Sequence, residues 1–180
     1  VGYQAGAALT TGVRNTLSGT LAGDALTDAD RNVALGYSAL GSDTLGSRSV
    51  AIGYTTLNAQ NFTTATDSYN TAVGYVAGAL VTTGVQNTII GGLAGDAITT
   101  ANENTVVGYL SGSALTTGLQ NTFLGAKTGD ASTVGTRNTA LGYDALSFDT
   151  QGSRNVAVGS NTLANQNFTT ATDSYNTGVG

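Results

Sequence analysis

Asn32-Val33-Ala34-Leu35-Gly36 is answered by Ser49-Val50-Ala51-Ile52-Gly53, and Asn138-Thr139-Ala140-Leu141-Gly142 gives the same phrase far downstream. Asn, a β-branched residue, two mostly apolar residues and Gly recur from a truncated Val1-Gly2 to Asn176-Thr177-Gly178-Val179-Gly180. The marker glycines are Gly2, Gly19, Gly36, Gly53, Gly74, Gly91, Gly108, Gly125, Gly142, Gly159 and Gly180. Eight of the steps between them are equal, as from Gly19 to Gly36. Two are longer by four residues, from Gly53 to Gly74 and from Gly159 to Gly180. Both long steps carry the segment NFTTATDSYN, residues 61–70 and 167–176. Residues 1–74 also match residues 107–180 with about two-thirds identity. Self-similarity at a fixed period is the mark of a repeat architecture. Residues 1–180 therefore read as a single array that opens and closes in mid-phrase, as a window on a longer fibre would.

Side chains along a strand alternate between two faces. One residue before the marker Gly stand Ser18, Leu35, Ile52, Val73, Ile90, Val107, Leu124, Leu141, Val158 and Val179. Three before it stand Thr16, Val33, Val50, Thr71, Thr88, Thr105, Thr122, Thr139, Val156 and Thr177, all β-branched. Such residues suit a pleated surface, and no helical spacing of apolar residues is sustained. A short strand recurring once per step and stacking on its neighbours makes a parallel β-solenoid, an all-β fold in which each rung touches only the next. These two columns share a face, which is expected to point into the coil. The column between them (Leu17, Ala34, Ala51, Ala72, Ile89, Val106, Phe123, Ala140, Ala157) is apolar as well. A strand apolar on both faces is buried on both. A thin coil cannot bury both faces alone, so this second column is expected to meet another chain.

The rest of each rung is a return path. Tyr follows many marker glycines (Tyr3, Tyr37, Tyr54, Tyr75, Tyr109, Tyr143), and all eight regular rungs place Thr eight residues after the Gly. Two residues after that Thr comes Gly or Ala, which reads as a turn. With no Pro in the chain, positive φ is expected to fall to Gly and Asn. A rung then holds two short strands joined by a tight bend and a longer loop. The four extra residues of each long step are expected to leave the stack.

Composition closes several doors. The chain has no His and no Cys, which removes imidazole and thiol chemistry, disulfides and the usual zinc, copper and iron sites. No cofactor is expected. A net charge of −5 with one Lys and no basic block argues against nucleic acid as a partner. Apolar runs are only a few residues long, so no segment of this window is expected to insert in a membrane.

Ser49-Val50-Ala51-Ile52-Gly53 and Asn155-Val156-Ala157-Val158-Gly159 resemble the head repeat of the YadA-type trimeric autotransporter adhesins, and Asn138 to Tyr143 is similar to repeats of phage tail-fibre-like proteins. The resemblance covers the whole chain, through recurrence of a short pattern. It implies a left-handed parallel β-roll, three of which pack about an axis into a non-enzymatic, surface-binding fibre that is extracellular, on a cell or a virion. The partner would then be the chain itself, as a homotrimer, with Leu17, Ala51, Ile89, Val106 and Phe123 at the trimer interface, and a host-cell glycan or protein as ligand. The rung here is longer than the family's, and Tyr after the Gly is a departure from it.

Five groups of residues could carry chemistry. Asp24, Asp28, Asp30 and Asp43 are the densest acidic group, and glycan cleavage needs two carboxylates about 5–10 Å apart. The Gly-Asp pairs at Asp24, Asp96 and Asp130 never fall on adjacent rungs, which speaks for turns over a calcium site needing six to eight oxygens. The column Asn15, Asn32, Asn70, Asn87, Asn104, Asn121, Asn138, Asn155 and Asn176 reads as a ladder of stacked amides. Arg14, Arg31, Arg48, Arg137 and Arg154 share a column that either pairs with neighbours such as Asp30 or holds an anionic glycan. Phe62, Asp67, Tyr69, Phe168, Asp173 and Tyr175, in the two long steps, are candidate ligand contacts or a structural bulge. Because everything recurs, length and avidity are favoured over one active site. A surface adhesin and a phage tail fibre for host recognition both fit. A glycan-degrading tailspike would need a non-repeating acidic cleft. An ice-binding solenoid would need an outward Thr array, whereas the Thr of the strands are expected to point inward.

Overall fold

The computed structural model describes all 180 residues and contains strands and turns but no helix. Ten three-residue strands form one parallel sheet: β1 (Thr16–Ser18), β2 (Val33–Leu35), β4 (Val50–Ile52), β6 (Thr71–Val73), β7 (Thr88–Ile90), β8 (Thr105–Val107), β9 (Thr122–Leu124), β10 (Thr139–Leu141), β12 (Val156–Val158) and β14 (Thr177–Val179). Each pairs with the next in the register of the repeat, as in Thr88↔Thr105, Ile89↔Val106 and Ile90↔Val107. Four two-residue strands, β3 (Gly46–Ser47), β5 (Thr66–Asp67), β11 (Gly152–Ser153) and β13 (Thr172–Asp173), form two small parallel pairs. The chain is a β-solenoid of about ten turns.

Stacking runs right around each coil. Of 102 backbone hydrogen bonds only 20 lie within strands, so the turns are laddered too. Thr27 N donates to Thr44 O at 3.0 Å, and Ala8 N donates to Asp24 O at 3.0 Å. The second regular strand expected in every rung is present only beside the long steps; elsewhere stacked turns take its place. The marker glycines set the closest approach: φ lies between 123° and 143° from Gly2 to Gly159, and a Cβ on Gly142 would stand 2.6 Å from the Gly159 carbonyl oxygen. No side chain fits in that gap.

The sheet faces the opposite way from the sequence expectation. Ala51, Ile89, Val106 and Phe123 are fully buried within the single chain, and Leu17 packs against the same core. The middle column of the strand is the core of the coil and does not meet a partner. The β-branched column and the column before the Gly point outward: Thr122, Leu124, Thr139 and Leu141 are exposed. Positive φ is carried by many glycines, as expected, but extends well beyond them. It falls two residues after each marker Gly, as at Leu93, Leu110 and Lys127, and on the residue before the Asn column, as at Arg48, Gln86 and Arg154. Apart from Asn161, these side chains are neither Gly nor Asn; a left-handed non-Gly residue costs about 1–2 kcal/mol, and the stacked turn must hold it in place.

The core keeps its volume by exchange between two columns. Where the middle strand residue is large, the residue four after the following Gly is Gly: Leu17 with Gly23, Ile89 with Gly95, Phe123 with Gly129. Where it is Ala, that residue is mostly Leu: Ala34 with Leu40, Ala51 with Leu57, Ala140 with Leu146, Ala157 with Leu163. A Cβ on Gly129 would lie 2.7–2.8 Å from three atoms of the Phe123 ring, so only one of the two positions can be filled. Ala72 with Gly78 departs from the rule, and there Ile89 and Leu57 from the adjoining rungs reach the space. Phe123→Ala is expected to lose about 3–5 kcal/mol of stability. Gly129→Leu alone is expected to overpack, although the backbone is suitable, since Leu146 adopts φ 54° where Gly129 has 58°. The double variant should recover at least half the Phe123→Ala loss in denaturant titration, a coupling that independent sites would not show.

Candidate functional site

Inside the coil the Asn column is a ladder, though its main bonds are to backbone. Each Oδ1 accepts the amide of the next residue in the column at 2.8–3.1 Å, from Asn32 N to Asn15 through Asn176 N to Asn155. Each Nδ2 from Asn15 to Asn138 donates to a backbone carbonyl of the next rung, as Asn87 does to Ala101, at 2.6–3.0 Å. Direct amide–amide bonds are longer, 3.1–3.3 Å. A second ladder is not anticipated by the sequence reading. Thr10, Thr27, Thr82, Thr99, Thr116 and Thr133 each donate Oγ1 to the carbonyl of the Thr one rung on, at 2.9–3.2 Å. Its signal is nonetheless present: Thr stands at one position in every regular rung.

The acidic group of the second and third rungs is dispersed. Asp28 accepts from Thr11 Oγ1 at 2.5 Å, while Asp30 accepts from Val13 N at 2.8 Å and lies 3.7 Å from Arg31. Asp43 is fully buried in the core column that holds Leu26, Val81, Ile98 and Leu115 on other rungs. Its carboxylate accepts from Gly46 N and Phe62 N at 3.0 Å and from Gln60 Nε2 at 2.6 Å. Asp149 repeats this arrangement with Gly152, Phe168 and Gln166. Both buried carboxylates therefore tie down the start of a long step. The signal for them is a polar pair, Asp43 with Gln60 and Asp149 with Gln166, in an otherwise mostly apolar column.

The long steps do not simply leave the stack. Thr66–Asp67 pairs with Gly46–Ser47 on the rung below, and Thr172–Asp173 pairs with Gly152–Ser153. Phe62 is buried and Phe168 half-buried, so neither is an outward contact. Asp67 pairs with Arg48, whose guanidinium carbon sits 5.6 Å from the Tyr69 ring centre. Asp173 lies 2.9 Å from Arg154, which sits 5.4 Å from the Tyr175 ring. Arg48 and Arg154 thus bond within the chain, and of the six candidates Asp67 and Asp173 are exposed but engaged by these arginines, while Tyr69 and Tyr175 present large exposed surfaces, 51 % and 65 %. Elsewhere in the Arg column, Arg137 Nε donates to Gln120 Oε1 at 2.9 Å, and Gln120 donates to Glu103 at 2.8 Å.

Outside, the ten-stranded sheet presents Thr71, Thr88, Thr105, Thr122 and Thr139 in register on five consecutive strands, beside Val73, Ile90, Val107, Leu124 and Leu141. Next to this stripe, beyond the side-chain-free glycines, runs the Tyr column, in which Tyr37, Tyr54 and Tyr75 stack at ring-centre distances of 5.2 and 5.5 Å. The ground for setting aside an outward Thr array, that these residues point inward, does not hold. No group of three or more acidic side chains is placed to hold a metal ion, and no helix is long and apolar enough to cross a membrane. Comparison with family models, with curated proteins and with solved structures finds no match.

Two measurements follow from the site. Phe62→Ser should cost several kcal/mol, because it empties a buried ring site, while Tyr69→Ser and Tyr175→Ser should leave thermal unfolding within a few degrees of the parent. Asp96 has one buried carboxylate oxygen without a partner, and burial raises its pKa above the ordinary 3.8, offset in part by its own backbone amide. A raised folded-state pKa means the charged form is the disfavoured one, so stability from this group is lost as pH rises through that pKa. Asp96→Asn should therefore stabilise at neutral pH, and the gap to the parent should close below the ordinary carboxylate range in denaturant titrations across pH.

Proposed function

We propose that this chain is a non-enzymatic structural and adhesive segment of an extracellular fibre, on a cell or virion surface, in which three copies pack along a common axis. The observation that carries the reading is the outward stripe of the ten-stranded sheet. Its column before the marker Gly is apolar without a break from Leu35 to Val179, flanked by a column of Thr and Val, and runs for eight strand spacings, about 38 Å at the usual 4.8 Å. In a repeat array such a stripe lengthens with every rung, while soluble monomers rarely expose contiguous apolar patches beyond a few hundred Å². Three coils turning this face to one axis would cover it along the whole rod. The interface then consists of Val50, Ile52, Ile90, Val107, Leu124 and their column neighbours, in place of the buried middle column. Recurrence of nearly every feature supports length and avidity over a single reaction centre. A cell-surface adhesin and a phage tail fibre share all of these requirements.

Sedimentation equilibrium tests the assembly. The parent is expected to be a trimer at micromolar concentration, and Ile90→Asp, Val107→Asp and Leu124→Asp together should give a folded monomer with an unchanged circular dichroism spectrum. Ile89→Asp, one residue away but inside the coil, should unfold the chain. A parent that is monomeric overturns the fibre reading.

The outward register of Thr71, Thr88, Thr105, Thr122 and Thr139 favours a second reading, in which the flat hydroxyl and methyl array orders water and binds ice. It needs the face free. Thermal hysteresis from a monomeric parent would establish it, and its absence would remove it.

A further inference from the structure

The chain has one concavity, an open groove of about 260 Å³ lined by Lys127, Asp130, Ala131, Asp144, Ser147 and Phe148. It spans two adjacent rungs, the eighth and ninth, on the turn that follows the marker Gly. Each residue of the lower rung has its column partner in the upper: Lys127 beside Asp144, Asp130 beside Ser147, Ala131 beside Phe148. The rungs are locked there by Asp144 N to Ala126 O at 3.2 Å and Ala131 N to Ser147 O at 3.1 Å. In an array whose features recur, this cluster does not. The equivalent positions near the start of the chain are Leu21, Asp24, Ala25, Ser38, Gly41 and Ser42, so Lys, the second Asp and Phe are all particular to this place. Lys127 is the only lysine of the chain, and Phe148 is the only aromatic residue in its column. Neither serves the stack, since the other copy of the same fold does without them.

The chemistry is mixed. Phe148 is 60 % exposed and offers an apolar ring at the rim. Two carboxylates and one ammonium leave the groove with a net charge of −1, on a chain of net charge −5, which disfavours an anionic ligand. Burial raises the pKa of Asp130, its backbone bonds oppose this, the Asp144 charge adds to the rise and the Lys127 charge lowers it. Lys127 can neutralise one carboxylate only. A ligand cation would neutralise the other. The volume is below the roughly 300–1,000 Å³ of drug-sized sites, and so suits a single ring.

We propose that this groove binds one amino-sugar residue with a free amine. Its ammonium would pair with Asp130 and Asp144, a hydroxyl would bond Lys127 or Ser147, and the C–H face of the ring would lie on Phe148. The proposal rests on the adhesive reading and gives it a ligand class. Because the groove belongs to one chain, its test is separate from that of assembly: a trimer that binds no amino sugar overturns this proposal and leaves the fibre standing.

The experiment is an NMR titration of the intact chain with glucosamine, glucose and N-acetylglucosamine, following backbone amide signals. Glucosamine should shift residues 127–131 and 144–148 with millimolar affinity, and the two sugars lacking a free amine should bind at least fivefold more weakly. Phe148→Ser and Asp144→Ser should each weaken glucosamine binding tenfold or more. Both replacements are the residues found at positions 42 and 38 of the same fold, so folding is not at risk. Conversely, Leu21→Lys with Ser38→Asp and Ser42→Phe should create a second set of shifts at residues 21–25 and 38–42. The proposal is overturned by absence of shifts in the groove, by equal binding of glucose, by insensitivity to Phe148→Ser, or by a folded triple variant without the second site.

Discussion

Each rung must lie in register on the next along its whole perimeter, and the other features of the molecule follow from that requirement. Most of the 82 backbone hydrogen bonds outside the regular strands join one rung to the next, so the turns are bound to the stack as well as the sheet. An unpaired buried backbone group costs about as much as a lost hydrogen bond, so no rung can change its path without stranding groups on both neighbours. The marker glycines are one consequence, because the peptide of the next rung fills the space a Cβ would need. Another is positive φ on Leu, Gln, Arg and even Val76, which the stack imposes against local preference. Constant cross-section is a third, and Phe123 and Leu146 are two ways of filling the same slot.

Polar ladders serve the same end by different means. An Asn amide inside the coil would be costly if unpaired, and from Asn15 to Asn138 the backbone of the neighbouring rung supplies both a carbonyl and an amide for it, while Asn155 turns to Asp149 and Asn138. The buried carboxylates of Asp43 and Asp149 do a local version of this, accepting two backbone amides and a Gln at the point where the path lengthens. Where Ser49 replaces Asn in the column, Gln60 reaches across to it at 2.9 Å and to Asn70 at 2.9 Å, which closes the gap. The long steps are thus spliced into the stack by buried polar groups, and outside by Arg48 with Asp67 and Arg154 with Asp173.

Function on such a rod divides by recurrence. Features repeated on most rungs, such as the outward stripe and the two ladders, belong to the stack. A feature found once, such as Phe148 with Lys127 and Asp144, is free to act on a ligand without being required by the fold. A groove of this kind is hard to see in a sequence, because its members from Lys127 to Phe148 belong to different rungs and meet only when those rungs stack. Taken along the chain, Asp130 reads as a turn residue, and Lys127 stands in a Gly-x-Lys-Thr fragment that lacks the phosphate-loop spacing.

Period, parallel sheet, register and Asn column are all legible without coordinates, since each is a statement about spacing. Which face of the strand lies inside is not. Alternation divides side chains into two sets, and both sets here are apolar, so the inward set has to be chosen by a further argument. Size favours the large β-branched and aliphatic columns, yet the coil is too narrow for two of them. It takes in the column that is mostly Ala, which trades volume with a partner on the return path. That exchange, between Ala140 and Leu146 or Phe123 and Gly129, joins residues six apart in sequence through a closed turn. It is settled in three dimensions, because it depends on how far across the coil a side chain reaches and on what already stands there.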